Sequence, residues 1–248
     1  MMIEEVVHIG KVPVTVIRKP RLKNWYIHIL PPDGRVSISV PKEADPEEIR
    51  LYMLRKMLEV KEIQRKMTDR TRQSKREYVS GESYYIWGQP YMLQVIYHGK
   101  ISRVKRQGFR LILEVPEGSD EERRAKAIRR WYRRELWRML EIIRPKVEAR
   151  MDIQAASYRI RNMRTLWGSC HREKREICLN LQLAEKPVEC LTYILTHELT
   201  HFLEANHTHH FYALLEQFCP TWQAAERILD TMPLAYMEKG ETYDQSDT

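Results

Sequence analysis

The hydrophobic period of this chain changes part-way along it, and this change limits the fold more than any other feature. Over roughly the first 115 residues, apart from one helical stretch, apolar side chains tend to recur at every second position, as in half-buried strands. From Ser119 onward, three- and four-residue intervals dominate, as in helices that bury one face. We therefore expect an α+β fold: an N-terminal antiparallel β-rich part with one helix, and a C-terminal helical part with a small sheet.

Prolines and capping residues divide the N-terminal part. Pro13 cannot donate a hydrogen bond to a neighbouring strand, so we expect its strand to lie at a sheet edge, within an antiparallel meander. Asp45 and Pro46 mark the start of the one helix, and residues 91–97 and 109–115 are further strand candidates. No internal repeat is visible in the sequence.

A long helix is predicted to open the C-terminal part. Ser119, with Glu122 three residues on, is typical of its first turn, and Pro145 is expected to kink it or end it early. Residues 157–183 resemble a hairpin whose second arm begins at Glu176. The remaining helices are expected to start at Pro187 and to span about 208–218 and 221–231. The predicted domains are a β-rich N-terminal subdomain (1–118), a second domain (119–236) and a polar tail (237–248).

The net charge of the chain is regional. The whole sequence has 42 Lys+Arg against 34 Asp+Glu, which gives +8. Residues 101–165 hold 18 basic and 9 acidic side chains, whereas residues 191–248 hold 2 and 9. Much of the basic excess comes from Arg123 to Arg138 on the long helix, which is either a solvated face or a surface for a polyanion such as nucleic acid.

Composition excludes several classes of protein. With 43% hydrophobic and 31% charged residues the chain is neither collagen-like nor wholly disordered. No stretch approaches the ~20 apolar residues of a membrane span, and acidic residues stand where a signal peptide would carry basic ones. The four cysteines lack Cys-x-x-Cys spacing. We expect a protein of the cytoplasm with reduced thiols and no membrane partner.

The helix after Pro187 carries the sequence His197–His201, which is His-Glu-Leu-Thr-His. Two histidines four residues apart project from one helical face, so both imidazoles can reach one metal ion at the ~2.0 Å that zinc requires. On a helical wheel the pair lies beside the apolar stripe and not within it. Glu198 points close to this pair, where a carboxylate can take the proton of a metal-bound water as general base.

A catalytic zinc needs a third protein ligand and an open fourth position. His207 is our first choice, because six residues let the chain leave the helix and fold back, with a left-handed turn expected at Ala205-Asn206. The alternatives are His209, His210, Glu204 and Glu216. A fourth protein ligand from His209 or His210 would instead close the site and make the zinc structural.

Several motifs in one order resemble the YgjP-like metallopeptidase-domain family. They are residues 163–170 (MRTLWGSC), 177–180 (ICLN), 193–201 and 206–208, with Phe211. The resemblance covers roughly residues 10 to 232. Thr200 departs from it, since the family more often has a small residue or cysteine there.

The resemblance implies a zincin-like domain related to SprT-like and small gluzincin domains. It also implies zinc bound by His197, His201 and His207, with Glu198 as base.

Two classes of function remain open from the sequence. The first is a zinc metallopeptidase that hydrolyses a peptide or protein, with an extended substrate paired to the strand Ile177–Leu183 and Trp167 near the cleft. The second is a polyanion-binding protein with a structural zinc. A peptidase acting on DNA-associated proteins would combine them. The sequence selects neither a group that stabilises the oxyanion nor an oligomeric state.

Overall fold

The computed structural model describes residues 3–30, 34–69, 76–163 and 166–231, and the predicted polar tail lies outside them. The strands are β1 (Ile3–Ile9), β2 (Val12–Lys19), β3 (Tyr26–Leu30), β4 (Arg35–Pro41), β5 (Ser83–Ile86), β6 (Gln89–Tyr97), β7 (Arg103–Gln107), β8 (Arg110–Val115), β9 (Ser157–Arg161), β10 (Gly168–His171) and β11 (Glu176–Asn180). The helices are α1 (Pro46–Asp69), α2 (Glu121–Met151), α3 (Val188–Thr200), α4 (His209–Phe218) and α5 (Trp222–Thr231), with a 3-10 helix at Leu181–Glu185. The expected α+β class is confirmed.

The described residues form two units, 3–69 and 76–231. This division differs from the predicted boundary at 118/119, which falls inside the second unit. The reason is α2, which contacts β7 and β8 as well as α3 and the 3-10 helix. One hydrophobic core therefore joins elements on both sides of residue 118, for example Leu113 in β8, Leu136 in α2 and Leu195 in α3.

The first unit is a four-stranded sheet with the order β1-β2-β4-β3 and a core shared with α1. Its inner pair, β2 and β4, is parallel, whereas the outer pairs are antiparallel, so the sheet is mixed and not a meander. The expectation that Pro13 lies on an edge strand is wrong, because β2 is internal. Pro13 is tolerated there because β4 pairs with β2 only from Val14 onward.

The second unit begins with a sheet of the same topology. Its order is β5-β6-β8-β7, again with a parallel inner pair, antiparallel outer pairs and a helix after the last strand. Strand β4 ends at Val40-Pro41, and β8 ends at Val115, directly before Pro116. An aspartate four residues after each proline accepts hydrogen bonds at the start of the next helix: Asp45 for α1 and Asp120 for α2. The structure thus contains a repeat that the sequence did not reveal.

Two details of α2 differ from expectation. Asp120 caps the helix, 2.8 Å from the Arg123 amide, while the Ser119 hydroxyl donates to the Pro116 carbonyl. Pro145 does not end the helix, which continues to Met151 and stops at the left-handed Asp152. Pro145 itself is exposed, and buried side chains on either side of it, such as Val147, hold the helix in place.

The remaining elements form a scaffold around α3. A three-stranded sheet has the order β10-β11-β9, so the predicted hairpin pairs β10 with β11, while β9 runs parallel to β11 on its other side. The β5–β6 turn docks on this scaffold: the amides of Trp87 and Gly88 donate to the carbonyls of Ala184 and Glu185. The two short helices, α4 and α5, lie where predicted. Among the described residues, no helix has the length and apolar character needed to cross a bilayer.

The core of the second unit yields a stability prediction. Leu136 on α2 is fully buried, so Leu136→Ala is expected to lower the free energy of unfolding by about 3 kcal/mol, through lost burial and a residual cavity. Ile142→Ala, at a position 51% exposed on the same helix, is the matched control and should change it by less than about 0.5 kcal/mol. Urea unfolding followed by circular dichroism measures both. Equal losses for the two variants would contradict the described packing of α2.

Candidate metal centre

Helix α3 is buried on most of its surface. Leu191, Leu195 and Leu199 are fully buried in the core of the second unit. Thr196 and Thr200 are also fully buried, and each hydroxyl donates to the carbonyl four residues earlier at 2.8 Å. A buried hydroxyl that is hydrogen-bonded within its own helix costs little, so Thr200 is accommodated in the core.

The structure brings His197, His201 and His207 together. One ring nitrogen of each lies within 4.8 Å of the others, and the Nε2 atoms of His197 and His207 are 3.0 Å apart. Two nitrogens bound to one tetrahedral zinc at ~2.05 Å would lie about 3.3 Å apart. The three side chains therefore fit a metal ion without rearrangement of the backbone.

The protonation of these imidazoles also suits a metal. Burial, together with the neighbouring His201 and His207, lowers the pKa of His197 to about 4. Burial likewise lowers the pKa of His201. Both rings are therefore neutral near pH 7, which is the form that binds metals. The Nδ1 atom of His201 lies 3.3 Å from the Glu204 carbonyl, and donation to it leaves Nε2 free as a ligand.

Phe211 supports all three imidazoles. It is fully buried on α4, and its ring centroid lies 4.7–4.9 Å from those of the three histidines. Thr208 caps α4 by accepting from the Phe211 amide, which fixes the chain directly after His207. The expected left-handed turn at Asn206 is wrong, since Asn206 is not among the residues with positive φ. Successive turns after Thr200 reverse the chain instead.

The other candidate ligands lie elsewhere. Glu204 uses its carbonyl for His201 and its carboxylate for the Asn206 amide. Glu216 accepts a hydrogen bond from the Trp222 indole at 2.6 Å. His209 and His210 are exposed in the first turn of α4. Across the described ranges, the three-histidine cluster is the one group of potential ligands that converges, with no fourth protein ligand.

Glu198 lies next to the cluster in an apolar environment. It is 6% exposed, and burial raises the pKa of its carboxyl group to about 8. Gly168 on β10 lies directly against it: a Cβ atom at position 168 would be 2.5 Å from Glu198 Oε1 and 2.8 Å from its Cγ. The glycine is therefore required by the close approach of β10 to α3.

A hydrogen-bonded asparagine holds the approach to β10. Asn180, buried at the end of β11, donates from its side-chain amide to the carbonyls of Met163 and Leu166 at 2.9 and 2.8 Å. Its Oδ1 accepts from the Met163 and Gln182 amides. This network fixes Met163 and Leu166, which precede Gly168 in the chain. Residues 164–165 lie outside the described ranges.

A cleft of about 470 Å³ contains these groups. It is lined by Leu166, Trp167, Gly168, Ser169, Cys170, Arg172, Tyr193, Ile194, His197, Glu198, His201, Ala205 and His207. The predicted proximity of Trp167 is confirmed. The prediction that Ile177–Leu183 offers an edge to a substrate is wrong, because β11 is the central strand and residues 181–185 form the 3-10 helix. The edge strand along the cleft is β10.

The fold and the site define a metallopeptidase-type centre, and comparison with known proteins agrees. The model of the family described as YgjP-like, metallopeptidase domain, matches residues 23–232. The chain belongs to this family and contains a metallopeptidase domain.

Two other comparisons add little. No curated protein matches the chain. It is similar to the metallopeptidase zymogen abylysin of Pyrococcus abyssi at 23% identity, covering 38% of this chain and 89% of that one, with a TM-score of 0.32.

Sequence reasoning found the ligand candidates but missed their supports. The family motifs include Gly168, Asn180 and Phe211 but give none of them a structural role. A glycine next to Trp167 in a strand was an available sign of close backbone approach. Arg172, in the turn between β10 and β11, gave no local sign that it lines the cleft.

The contact between Gly168 and Glu198 yields a prediction. Gly168→Ala is expected to displace the Glu198 carboxylate and lower peptide hydrolysis by about 10²-fold, since displacements near 1 Å cost that much. Metal content should stay at the wild-type value, because the three atoms nearest to the added methyl group all belong to Glu198 and none to a histidine. Hydrolysis and metal stoichiometry are measured on the same preparations. Full activity with the metal retained would contradict the described contact.

Proposed function

We propose that this protein is a zinc-dependent peptidase in which His197, His201 and His207 hold the metal and Glu198 is the general base. The observation that carries the proposal is the convergence of three imidazoles beside one buried carboxylate in an open cleft. Three nitrogen ligands with an open fourth position are typical of catalytic zinc, whereas a structural site would close with a fourth protein ligand. A zinc ion bound there would polarise the peptide carbonyl and acidify water.

The residues of the chain divide the chemistry as follows. Glu198 accepts the proton of the attacking water and passes it to the leaving amine. Burial favours the protonated form of this carboxyl group, so the role needs a divalent cation beside it that keeps the carboxylate ionised. Phe211 holds the imidazoles in orientation. The apolar walls of the cleft limit competing water around Glu198.

The edge strand β10 is the proposed substrate platform. β10 pairs with β11 on one side only, and several of its residues line the cleft. An extended peptide can pair with the free edge through backbone hydrogen bonds, which brings a peptide carbonyl toward Glu198.

All four cysteines are free thiols, which supports a cytoplasmic location.

Substitution of Glu198 tests the catalytic role. Glu198→Gln is expected to keep about one zinc per chain and to lose hydrolysis by at least about 10²-fold, because the amide cannot accept a proton. Glu189→Gln, at an exposed position of the same helix, is the control and should retain full activity. Zinc is measured by elemental mass spectrometry and hydrolysis with casein or a peptide pool.

Further results distinguish a catalytic zinc from a structural zinc. His207→Ala is expected to lose both zinc and activity. Full hydrolysis by Glu198→Gln would exclude the proposed mechanism, and X-ray absorption showing four protein ligands would favour a structural zinc.

A second candidate function, polyanion binding, has its own observation. Arg123, Lys126, Arg130 and Arg134 are exposed side by side on α2, and the Arg130 guanidinium reaches the Ser102 carbonyl at the start of β7. With Arg103 in β7, these side chains form a basic surface. A peptidase with this surface would act on proteins bound to nucleic acid.

Charge reversal tests the basic surface. Arg123→Glu with Arg134→Glu is expected to weaken binding to duplex DNA and to reduce the slope of log affinity against log salt by about 1 to 2, as for one or two lost phosphate contacts. Arg227→Glu on α5, exposed in another element, is the control with little effect. Fluorescence anisotropy at several salt concentrations measures the slope. An unchanged slope in the double variant would exclude this surface as the contact.

A further inference from the structure

Arg172 is the one permanently cationic side chain among the described residues that line the cleft. It follows β10 directly, in the turn that leads to β11, and its side chain is exposed. Its side chain lines the same cleft as Cys170 and His201.

The guanidinium of Arg172 is not engaged by the part of the protein that the structure describes. No carboxylate in the described ranges lies within ion-pair distance of it. Its neighbour Arg175 shows the contrast. The Arg175 guanidinium donates twice to the Gln154 carbonyl and lies over the Phe202 ring, so it is a structural part of the turn. Arg172 is therefore available to a ligand, and the matching group is a carboxylate.

The direction of β10 decides which part of a substrate meets Arg172. Gly168, the first residue of β10, contacts Glu198, the group that acts on the scissile bond. Arg172 lies directly beyond the other end of the strand and lines the cleft together with His201. A peptide that adds to β10 in the more stable antiparallel sense runs from Arg172 toward Gly168. Its residues N-terminal to the scissile bond then lie beside Arg172.

Strand dimensions limit the distance along the substrate. Arg172 is four residue steps along the chain from Gly168, which corresponds to about 13 Å at ~3.3 Å per residue. Because the side chains of Arg172 and of a substrate Asp or Glu also extend along the strand, the substrate residue that meets Arg172 can be fewer than four positions from the scissile bond. The position that Arg172 can reach is therefore two to four residues N-terminal to the scissile bond.

We infer that Arg172 is a specificity-determining residue that binds the carboxylate of an Asp or Glu side chain two to four residues N-terminal to the scissile bond. The enzyme is then selective for extended, acidic peptide segments. This inference rests on the proposed function, because it requires hydrolysis at Glu198 and a substrate paired to β10. The rest of the cleft wall is neutral apart from Glu198 and the histidines, so no other side chain that lines it supplies this charge.

The experiment has two stages. A peptide pool is first digested with the zinc-loaded full-length protein, and the cleaved bonds are located by mass spectrometry. A cleaved peptide is then synthesised as a pair that differs only in Glu or Gln at the position two to four residues upstream. The expected kcat/KM for the Glu peptide is about fivefold higher than for the Gln peptide, the size of effect that an exposed ion pair gives.

Variants assign the preference to Arg172. In Arg172→Ala the Glu-to-Gln ratio should fall to about 1, mainly through the KM of the Glu peptide, and Arg172→Lys should keep part of the preference. Lys174→Ala is the control. It removes a positive charge from the same turn, but Lys174 does not line the cleft, so this variant should keep the wild-type ratio.

The outcomes are distinguishable. A preference that survives Arg172→Ala, a preference for acids C-terminal to the scissile bond, or an equal fall in kcat for both peptides would each overturn the inference. If the wild-type protein cleaves no peptide, or Glu198→Gln cleaves as fast as wild type, the proposed function itself fails.

Discussion

The burial of α3 is the constraint on which the rest of the second unit depends. Strands β10 and β11, the 3-10 helix, α2, α4 and α5 all contact this helix, so it cannot rotate without breaking the core. Its orientation fixes the direction of His197 and Glu198 at once. The site is then completed from outside α3, by His207 after the chain reversal and by Gly168 on β10. Preorganisation of this kind suits residues that are to hold a metal ion.

The electrostatics of the cleft follow from the same burial. Imidazoles that are hard to charge and a carboxylate that is hard to ionise give a site with little net charge of its own. Such a site gains from a divalent cation, because the cation favours neutral imidazole and an ionised carboxylate together. Of the five acidic side chains between residues 191 and 231, only Glu198 lines the cleft, whereas Glu204, Glu216, Glu226 and Asp230 do not.

The sequence predicted the site better than it predicted the sheets. The His197–His201 spacing and the helical wheel are local properties of one helix, and a local pattern is enough to place side chains on a face. β2 pairs in parallel with β4, and β11 with β9. Each pair joins strands that are separated in the sequence, so the pairing depends on the path of the intervening chain, which no local pattern encodes.

The residues that pack against the site could not be predicted from a local pattern either, because their contacts are distant in the sequence. Phe211 contacts histidines on two other segments, and Gly168 contacts a residue thirty positions later. The capping prediction at Ser119 erred by one residue, because serine and aspartate are both good caps and the sequence offers both.

The repeated topology has a consequence for how this protein can evolve. The first unit has the same strand order, strand directions and capped helix as the start of the second, yet none of the residues of the metal cluster belongs to it. Its sheet is thus a copy of the scaffold without the chemistry. In evolution, substitutions in the core of the first unit can therefore change the stability of that unit while the three histidines keep their own scaffold in the second unit.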